Sequence, residues 1–247
     1  MNLKEKVVII TGAAGGLGKA FAFAFANQGA KVVVCDKNIE GATQTAKEIG
    51  ANATSFEVDV TSESSTENLA KQVAEKFGKI DVLINNAAIY ATIQRKPFYE
   101  IKESEWDLIM NVNLKGVWMV SKAVFPFMKE ANSGKIINIS SATVMSGSPQ
   151  WSHYVASKGG VIGFTRSMAK EVGDFNINVN AIAPGFTLTE ASLSLMENAE
   201  KYGVERGAIK RPSSAEDIVG TALFLASSLS DFITGQTIVI DGGKQFI

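Results

Sequence analysis

The stretch HYVASKGG, residues 153–160, sets the chain's only histidine beside a tyrosine, with a lysine four places after that tyrosine. In a helix of ~3.6 residues per turn, Tyr154 and Lys158 share one face, one turn apart. An ammonium held close to a phenol favours the phenolate and lowers the tyrosine pKa from its usual ~10. The phenol then becomes a proton donor and acceptor near neutral pH. Pairs at this spacing are also common on ordinary helix surfaces, so the chemistry depends on what else the chain carries.

A second chemical feature is IITGAAGGLGKA, which leaves a β-branched run and enters a helical pattern. Gly12, Gly16 and Gly18 let the backbone turn tightly and approach a ligand, with helix amides facing a diphosphate. The spacing is G-x-x-x-G-x-G rather than the G-x-G-x-x-G of many dinucleotide folds. Its place between strand and helix nevertheless points to nucleotide binding. The next strand ends in Asp36, eighteen residues after Gly18. A carboxylate there accepts hydrogen bonds from both hydroxyls of an adenosine ribose and repels the extra phosphate of NADP. No Arg or Lys between Gly12 and Gly18 would neutralise such a phosphate, and Lys37 is the one nearby cation. NAD is the expected cofactor, with NADP less favoured. The alternative reading of Asp36 is a strand-end aspartate that caps a turn.

Short β-branched runs alternate with longer helical patterns along the chain, from KVVIIT and LGKAFAFAFANQG to AEDIVGTALFLAS and QTIVIDGG. Strand runs that are nearly all apolar fit a parallel sheet covered by helices on both faces. The expected fold is α/β: a Rossmann-type, doubly wound sheet of seven parallel strands built from right-handed βαβ units. Gly29, Gly50 and Gly78 stand where helices would close in a left-handed cap. No Pro-, Gly- or Ser-rich linker divides residues 1–247, which read as a single domain. One irregular section, about 185–213, holds the amphipathic piece EASLSLMENAEKYG and is a candidate lid.

The 247 residues are 46% hydrophobic and 20% charged, ordinary values for a soluble domain with a sizeable core. A net charge of −1, with the basic residues scattered, leaves no electrostatic footprint for nucleic acid or an anionic membrane. The N-terminus lacks the pattern of a signal peptide, and no uncharged apolar run approaches the ~18 residues of a membrane span. A cytoplasmic location follows as the expectation. The lone Cys35, in VVVCD, excludes an internal disulfide and reads as a buried, inert thiol. With one histidine and no cysteine cluster, no transition-metal site is expected.

Taken in order, TGAAGGLG (11–18), NNAA (85–88), YVASK (154–158) and PGFTLT (184–189) resemble the motifs of the classical short-chain dehydrogenase/reductases, from about Lys4 to Gly243. One departure is visible: the family usually has N-N-A-G where this chain has Asn85, Asn86, Ala87 and Ala88. The resemblance implies four catalytic positions, Asn113, Ser141, Tyr154 and Lys158. It implies a cofactor site of Gly12, Gly16, Leu17, Gly18 and Asp36, with Asp59 and Val60 near the adenine. Asn86, Tyr154, Lys158, Pro184, Thr187 and Thr189 complete that site, the two threonines near the nicotinamide carboxamide.

The roles make physical sense. Ser141 would stabilise charge on a carbonyl oxygen, and Tyr154 would pass a proton to or from it. Lys158 would lower the tyrosine pKa and hold the nicotinamide ribose, while Asn113 would hold a water. His153 reads as a packing or surface residue, with the substrate pocket as the alternative. The implied assembly is a homotetramer using the helices at about 104–129 and after Lys158.

The leading functional expectation is an NAD-dependent oxidoreductase that interconverts a small-molecule secondary alcohol and its ketone. The alternative is an NADPH-dependent 3-oxoacyl-thioester reductase acting on an acyl-carrier substrate, against which Asp36 weighs. A nucleotide-sensing scaffold would be expected to have lost the serine, tyrosine or lysine. The pocket stretches IYATIQRKPF, ATVMSGSPQW and the 185–206 lid show no cationic cluster suited to an acyl-carrier phosphate.

Overall fold

The structure, a computed structural model, describes residues 3–193 and 198–246. Seven parallel strands form one sheet: β1 (Val7–Thr11), β2 (Lys31–Asp36), β3 (Ala53–Glu57), β4 (Val82–Asn85), β5 (Gly134–Ile139), β6 (Ile177–Pro184) and β9 (Thr237–Ile240). Their spatial order is β3-β2-β1-β4-β5-β6-β9. The chain reverses direction of travel across the sheet between β1 and β4, the switch point at which ligands bind in open α/β sheets. Two further short strands, β7 (Thr187–Leu188) and β8 (Ser213–Ser214), pair in parallel outside this sheet.

Successive residues of each strand serve opposite faces. Val8 and Ile10 join the core beneath α1 (Gly16–Asn27) and α9 (Glu216–Ala226), whereas Val7 and Ile9 join the core on the other face. That second core is closed by α3 (Glu63–Phe77), α5 (Gly116–Glu130) and α7 (Ser152–Val172). Phe21 and Phe25 of α1 are fully buried. Truncating either to alanine would cost about 3–5 kcal/mol, so the start of α1 is rigidly placed over the switch point.

The helical pattern over 103–130 folds as one path: α4 (Glu103–Met110), a π-helical turn at Asn111–Lys115, then α5. π-turns inside α-helices are rare and recur at functional sites. Gly29, Gly50 and Gly78 all take positive φ: Gly29 closes α1, its amide donating to the Ala26 carbonyl and the Ala30 amide to the Phe25 carbonyl, and Gly78 caps α3 in the left-handed conformation, whereas Gly50, after α2 (Ile39–Ile49), has ψ −143°. The irregular section at about 185–213 holds, among the described residues, β7, α8 (Glu190–Leu193), 3₁₀ turns at Ala199–Lys201 and Val204–Arg206, and the start of β8, and residues 194–197 of its amphipathic piece lie outside the described residues.

Candidate active site

The C-terminal ends of the parallel strands bring the chemistry-bearing residues together. Thr11, at the end of β1, accepts hydrogen bonds through Oγ1 from the Asn86 and Ala87 amides, each at 3.1 Å. Asn86 in turn donates from Nδ2 to the Thr11 and Gly12 carbonyls at 3.0 Å each. This staple presses the glycine loop against the loop after β4. A Cβ on Gly12 would stand 2.7 Å from the Ala87 Cα, and φ is +66°, so only glycine fits. A Cβ on Gly18 would stand 2.2 Å from the Gly12 carbonyl oxygen. Thr11 escaped the sequence reading, although its place directly before the loop was the available signal. Ala88, where the family has glycine, has no positive φ, so its methyl costs the loop nothing.

At α1 the Gly15 N-cap offers no side-chain hydrogen bond, and a Cβ on Gly15 would meet nothing within 4 Å. Open backbone and uncapped amides at the start of a 12-residue helix are what a diphosphate requires. The residues present therefore fit a dinucleotide. Asp36 accepts from the Ala14 amide at 3.1 Å and the Asn38 amide at 2.9 Å, so it anchors the glycine loop as well as ending β2. Lys37 does not stand free: its Nζ pairs with Asp59 at 2.8 Å. Lys37, with the Thr61 hydroxyl and amide, draws the Asp59 carboxyl down to about 2. Val60 packs under α5, its Cγ2 only 2.8 Å from where a Cβ on Gly116 would be.

A cleft of about 1030 Å³ opens over the switch point. Of the residues named from the sequence, its walls include Gly16, Leu17, Asn86, Ser141, Tyr154 and Lys158 on one side, and Pro184, Thr187 and Thr189 beneath the lid. Gly12 and Gly18 lie under the loop, Asp36, Asp59 and Val60 sit beyond the cleft walls, and Asn113 is fully buried behind them. Thr189 caps α8, its Oγ1 accepting from the Ser192 amide at 3.2 Å. Thr187 donates to the Gly185 carbonyl at 3.2 Å.

Ser141 follows β5. Its Oγ accepts from the Thr143 hydroxyl at 2.9 Å and the Thr143 amide at 3.3 Å, which leaves its own proton to donate. It lines the same cleft wall as Tyr154, and its hydroxyl favours the ionised form of that phenol. Lys158 reaches under the tyrosine: its Nζ donates to the Ile139 carbonyl at 2.8 Å and lies 5.9 Å from the Tyr154 ring centroid. Asn113 sits in the π-turn, accepts the Ile89 amide at 2.7 Å, and donates to the Ile89 carbonyl at 3.1 Å and the Ser157 hydroxyl at 3.4 Å.

The electrostatics differ from the sequence expectation. Burial pushes the Tyr154 phenol above its ordinary value, and the Ser141 hydroxyl opposes this only in part. Burial also draws Lys158 down to about 8, so its ammonium is itself disfavoured. Desolvation acts on both members of the pair, and without a bound anion the lysine does not overcome it. Cys35 is fully buried, and burial raises its thiol well above the usual range.

His153 stays out of the cleft. It is fully buried, with Nε2 3.2 Å from Glu105, whose other oxygen pairs with Lys96 at 2.7 Å. The cleft's aromatic wall was not foreseen. The Tyr90, Trp151 and Tyr154 rings lie 5.1 to 5.9 Å apart between centroids. Nor was its charge. Arg95, Arg206 and Lys244, from three distant segments, line the same cleft, which corrects the expectation of a pocket without a cationic cluster. No local signal links residues so far apart in the chain.

The family model described as enoyl-(acyl carrier protein) reductase matches residues 12–245. A 3-oxoacyl-[acyl-carrier-protein] reductase from Thermotoga maritima is 40% identical over 246 residues, which are 98% of this chain and 99% of the relative. A galactitol 2-dehydrogenase from Agrobacterium fabrum is also 40% identical, covering 99% of each chain. Among solved structures, a 3-ketoacyl-(acyl-carrier-protein) reductase from Brucella melitensis, complexed with NADH, superposes with a TM-score of 0.93. It is 31% identical, with 99% of this chain and 100% of that one covered.

Proposed function

Because this chain belongs to the classical short-chain dehydrogenase/reductases, oxidoreductases that use a nicotinamide cofactor, we propose that it interconverts a secondary alcohol and its ketone with NAD(H). The observation that carries the reading is that Ser141, Tyr154 and Lys158 line one cleft, Lys158 anchored on the Ile139 carbonyl beneath the tyrosine ring, and that this cleft also reaches the uncapped start of α1. The nicotinamide ring supplies the hydride chemistry. The protein's own groups handle the proton and the charge on oxygen.

In the direction of reduction, Ser141 donates its free proton in a hydrogen bond to the ketone oxygen and stabilises the charge that develops there. Tyr154 gives its proton to that oxygen as the carbon gains hydride, leaving a phenolate. Burial keeps the phenol protonated, so it holds the proton that a strongly basic, alkoxide-like oxygen takes. Lys158 stabilises the phenolate through its charge, and the buried Asn113 holds the end of the path by which the proton is replaced. Oxidation runs the same steps backwards.

The relatives' names favour the second reading given above, a 3-oxoacyl thioester as the ketone, over a simple alcohol or ketone. The cations of the cleft support the same reading. Asp36 supports NAD(H) as the cofactor. We include a homotetramer and a cytoplasmic location in the proposal. The exposed Trp106, Leu108 and Trp118 on α4 and α5 support the assembly. Among the described residues no helix is long and apolar enough to cross a membrane.

The test is a panel of 3-oxoacyl thioesters, simple ketones and the matching alcohols with NADH, NADPH and their oxidised forms, followed by nicotinamide absorbance. Turnover of a thioester with NADH above all other pairs is expected. Absence of any carbonyl or alcohol turnover, with dinucleotide bound, would overturn the reading.

A further inference from the structure

We infer that Arg95, Arg206 and Lys244 form an anion subsite that holds a carboxylate or phosphate carried by the ketone substrate. This deepens the alcohol–ketone reading and rests on it.

The chain as a whole is almost neutral, with net charge −1. The cleft is not. Four cations, Arg95, Lys158, Arg206 and Lys244, line it against one carboxylate, Asp241. Among the described residues, none of Arg95, Arg206 and Lys244 makes an ion pair. Surface cations of this chain commonly do pair: Lys6, Lys19, Lys37, Lys122 and Arg211 each hold a carboxylate within 2.9 Å.

The three are also held, not scattered. Arg95 stacks its guanidinium 4.4 Å from the Trp151 ring centroid and reaches the Tyr202 hydroxyl at 3.5 Å. Arg206 lies over the Tyr202 ring at 5.7 Å. Nη2 of Arg206 and Nζ of Lys244 both come within 3.3 Å of the point that a Cβ on Gly203 would occupy. Like charges this close repel one another. Lys244 shows it: burial lowers its pKa first, and Arg206 lowers it further, against weaker help from Asp241 and Tyr202. Asp241 is occupied at Oδ1 by the Gly243 and Lys244 amides, and its Oδ2 is buried without a partner. A single anion between Arg206 and Lys244 would relieve that repulsion.

Position gives the group its meaning. Trp151, under Arg95, packs 5.1 Å from Tyr154 between ring centroids. Arg95 therefore stands one aromatic ring from Tyr154, and Arg206 and Lys244 line the same cleft. A substrate whose anion sits there is oriented with its ketone at Ser141 and Tyr154. Arg206 comes from the lid and Lys244 from the chain after β9, so the anion also ties these two segments together. The anion has two sources, a carboxylate of a free oxo acid or the phosphate of a carrier thioester.

The experiment uses NADH-loaded protein and four probes: 3-oxobutanoate, its neutral methyl ester, its coenzyme A thioester, and its N-acetylcysteamine thioester, which lacks phosphate. For wild type, at least tenfold higher kcat/KM is expected for one anionic probe over its neutral counterpart, falling as salt is raised. The acid-to-ester pair identifies a carboxylate, and the two thioesters identify a phosphate. Arg206→Gln and Lys244→Gln should each reduce that ratio tenfold or more through KM, and Lys244→Arg should restore it. Calorimetric binding of 3-oxobutanoate or inorganic phosphate, weakened by Arg206→Gln, reads the subsite without turnover. Ratios near one that no variant moves, together with no anion binding, would overturn the subsite while leaving the ketone reading intact. Anion binding with no turnover of any probe would instead sink the ketone reading and keep the subsite.

Discussion

The Nζ of Lys158 donates to the main-chain carbonyl of Ile139 at 2.8 Å, which fixes a buried ammonium beneath the Tyr154 ring. The carbonyl belongs to the last residue of β5, two before Ser141. One strand end therefore carries the serine and orients the lysine, and any shift of β5 moves both.

This buried charge has a cost in the free protein. The Lys158 pKa falls to about 8, below its usual 10.5, because burial disfavours the ammonium. The cost is fully present below about pH 8 and fades as pH rises toward 10.5, where the unfolded chain also loses its proton. A shift of that size is on the order of 3 kcal/mol, and losing the bond to Ile139 offsets about 1–3 kcal/mol. Lys158→Met should raise the Tm of the dinucleotide-free protein by a few degrees at pH 6–7, with a smaller gain at pH 10. Calorimetric scans across pH check this, and a lower Tm at pH 6 would contradict the assigned cost.

Tyr154→Phe should retain dinucleotide binding and lose turnover by about 10²–10⁴-fold, the usual worth of a placed acid–base group. Alcohol oxidation by wild type should climb with pH, since the phenol must lose its proton before it can accept one. In Lys158→Met the climbing limb should move to higher pH, because the cation that favours the phenolate is gone. Steady-state profiles from pH 6 to 10 decide it; a flat wild-type profile would remove Tyr154 as the base.

The proposed NAD(H) preference rests on Asp36. A unit charge beside a phosphate costs at least about 1 kcal/mol at 4 Å in water, and more when partly desolvated. Lys37, the neighbouring cation, is engaged by Asp59 and so does less to soften that repulsion. NADH should exceed NADPH by tenfold or more in kcat/KM. Asp36→Asn should narrow the gap while keeping an acceptor for the Ala14 and Asn38 amides. Asp36→Ala should narrow it too, and also lower Tm, since those two amides lose their partner. Equal use of both cofactors by wild type would sink this assignment.

In solution the chain should scatter light as a homotetramer. Trp118 is 42% exposed on α5 and, with Leu114 and Phe164, edges a shallow apolar hollow between α5 and α7. Trp118→Asp should lower the assembled mass at micromolar concentration. A monomeric wild type would refute the assembly.

The glycine loop, the strand-end aspartate and the Y-x-x-x-K spacing were legible because each is local. They depend on backbone freedom, strand polarity and helical repeat, which a short stretch specifies by itself. The seven-stranded sheet was legible for the same reason, as apolar strand runs alternate with helical ones. The amphipathic piece of the lid is legible as a local pattern, but what holds the lid in place is not. Pairing of Thr187 and Leu188 with Ser213 and Ser214 closes that segment, a contact that no period encodes. The effect of Lys158 on Tyr154 was misjudged because spacing gives proximity but not burial, and burial decides the charge. Arg95, Arg206 and Lys244 line one cleft only because the loop after β4, the lid and the chain after β9 all lie at the C-terminal ends of the parallel strands. Their shared field is a property of the folded cleft, since charges interact through space and not along the chain.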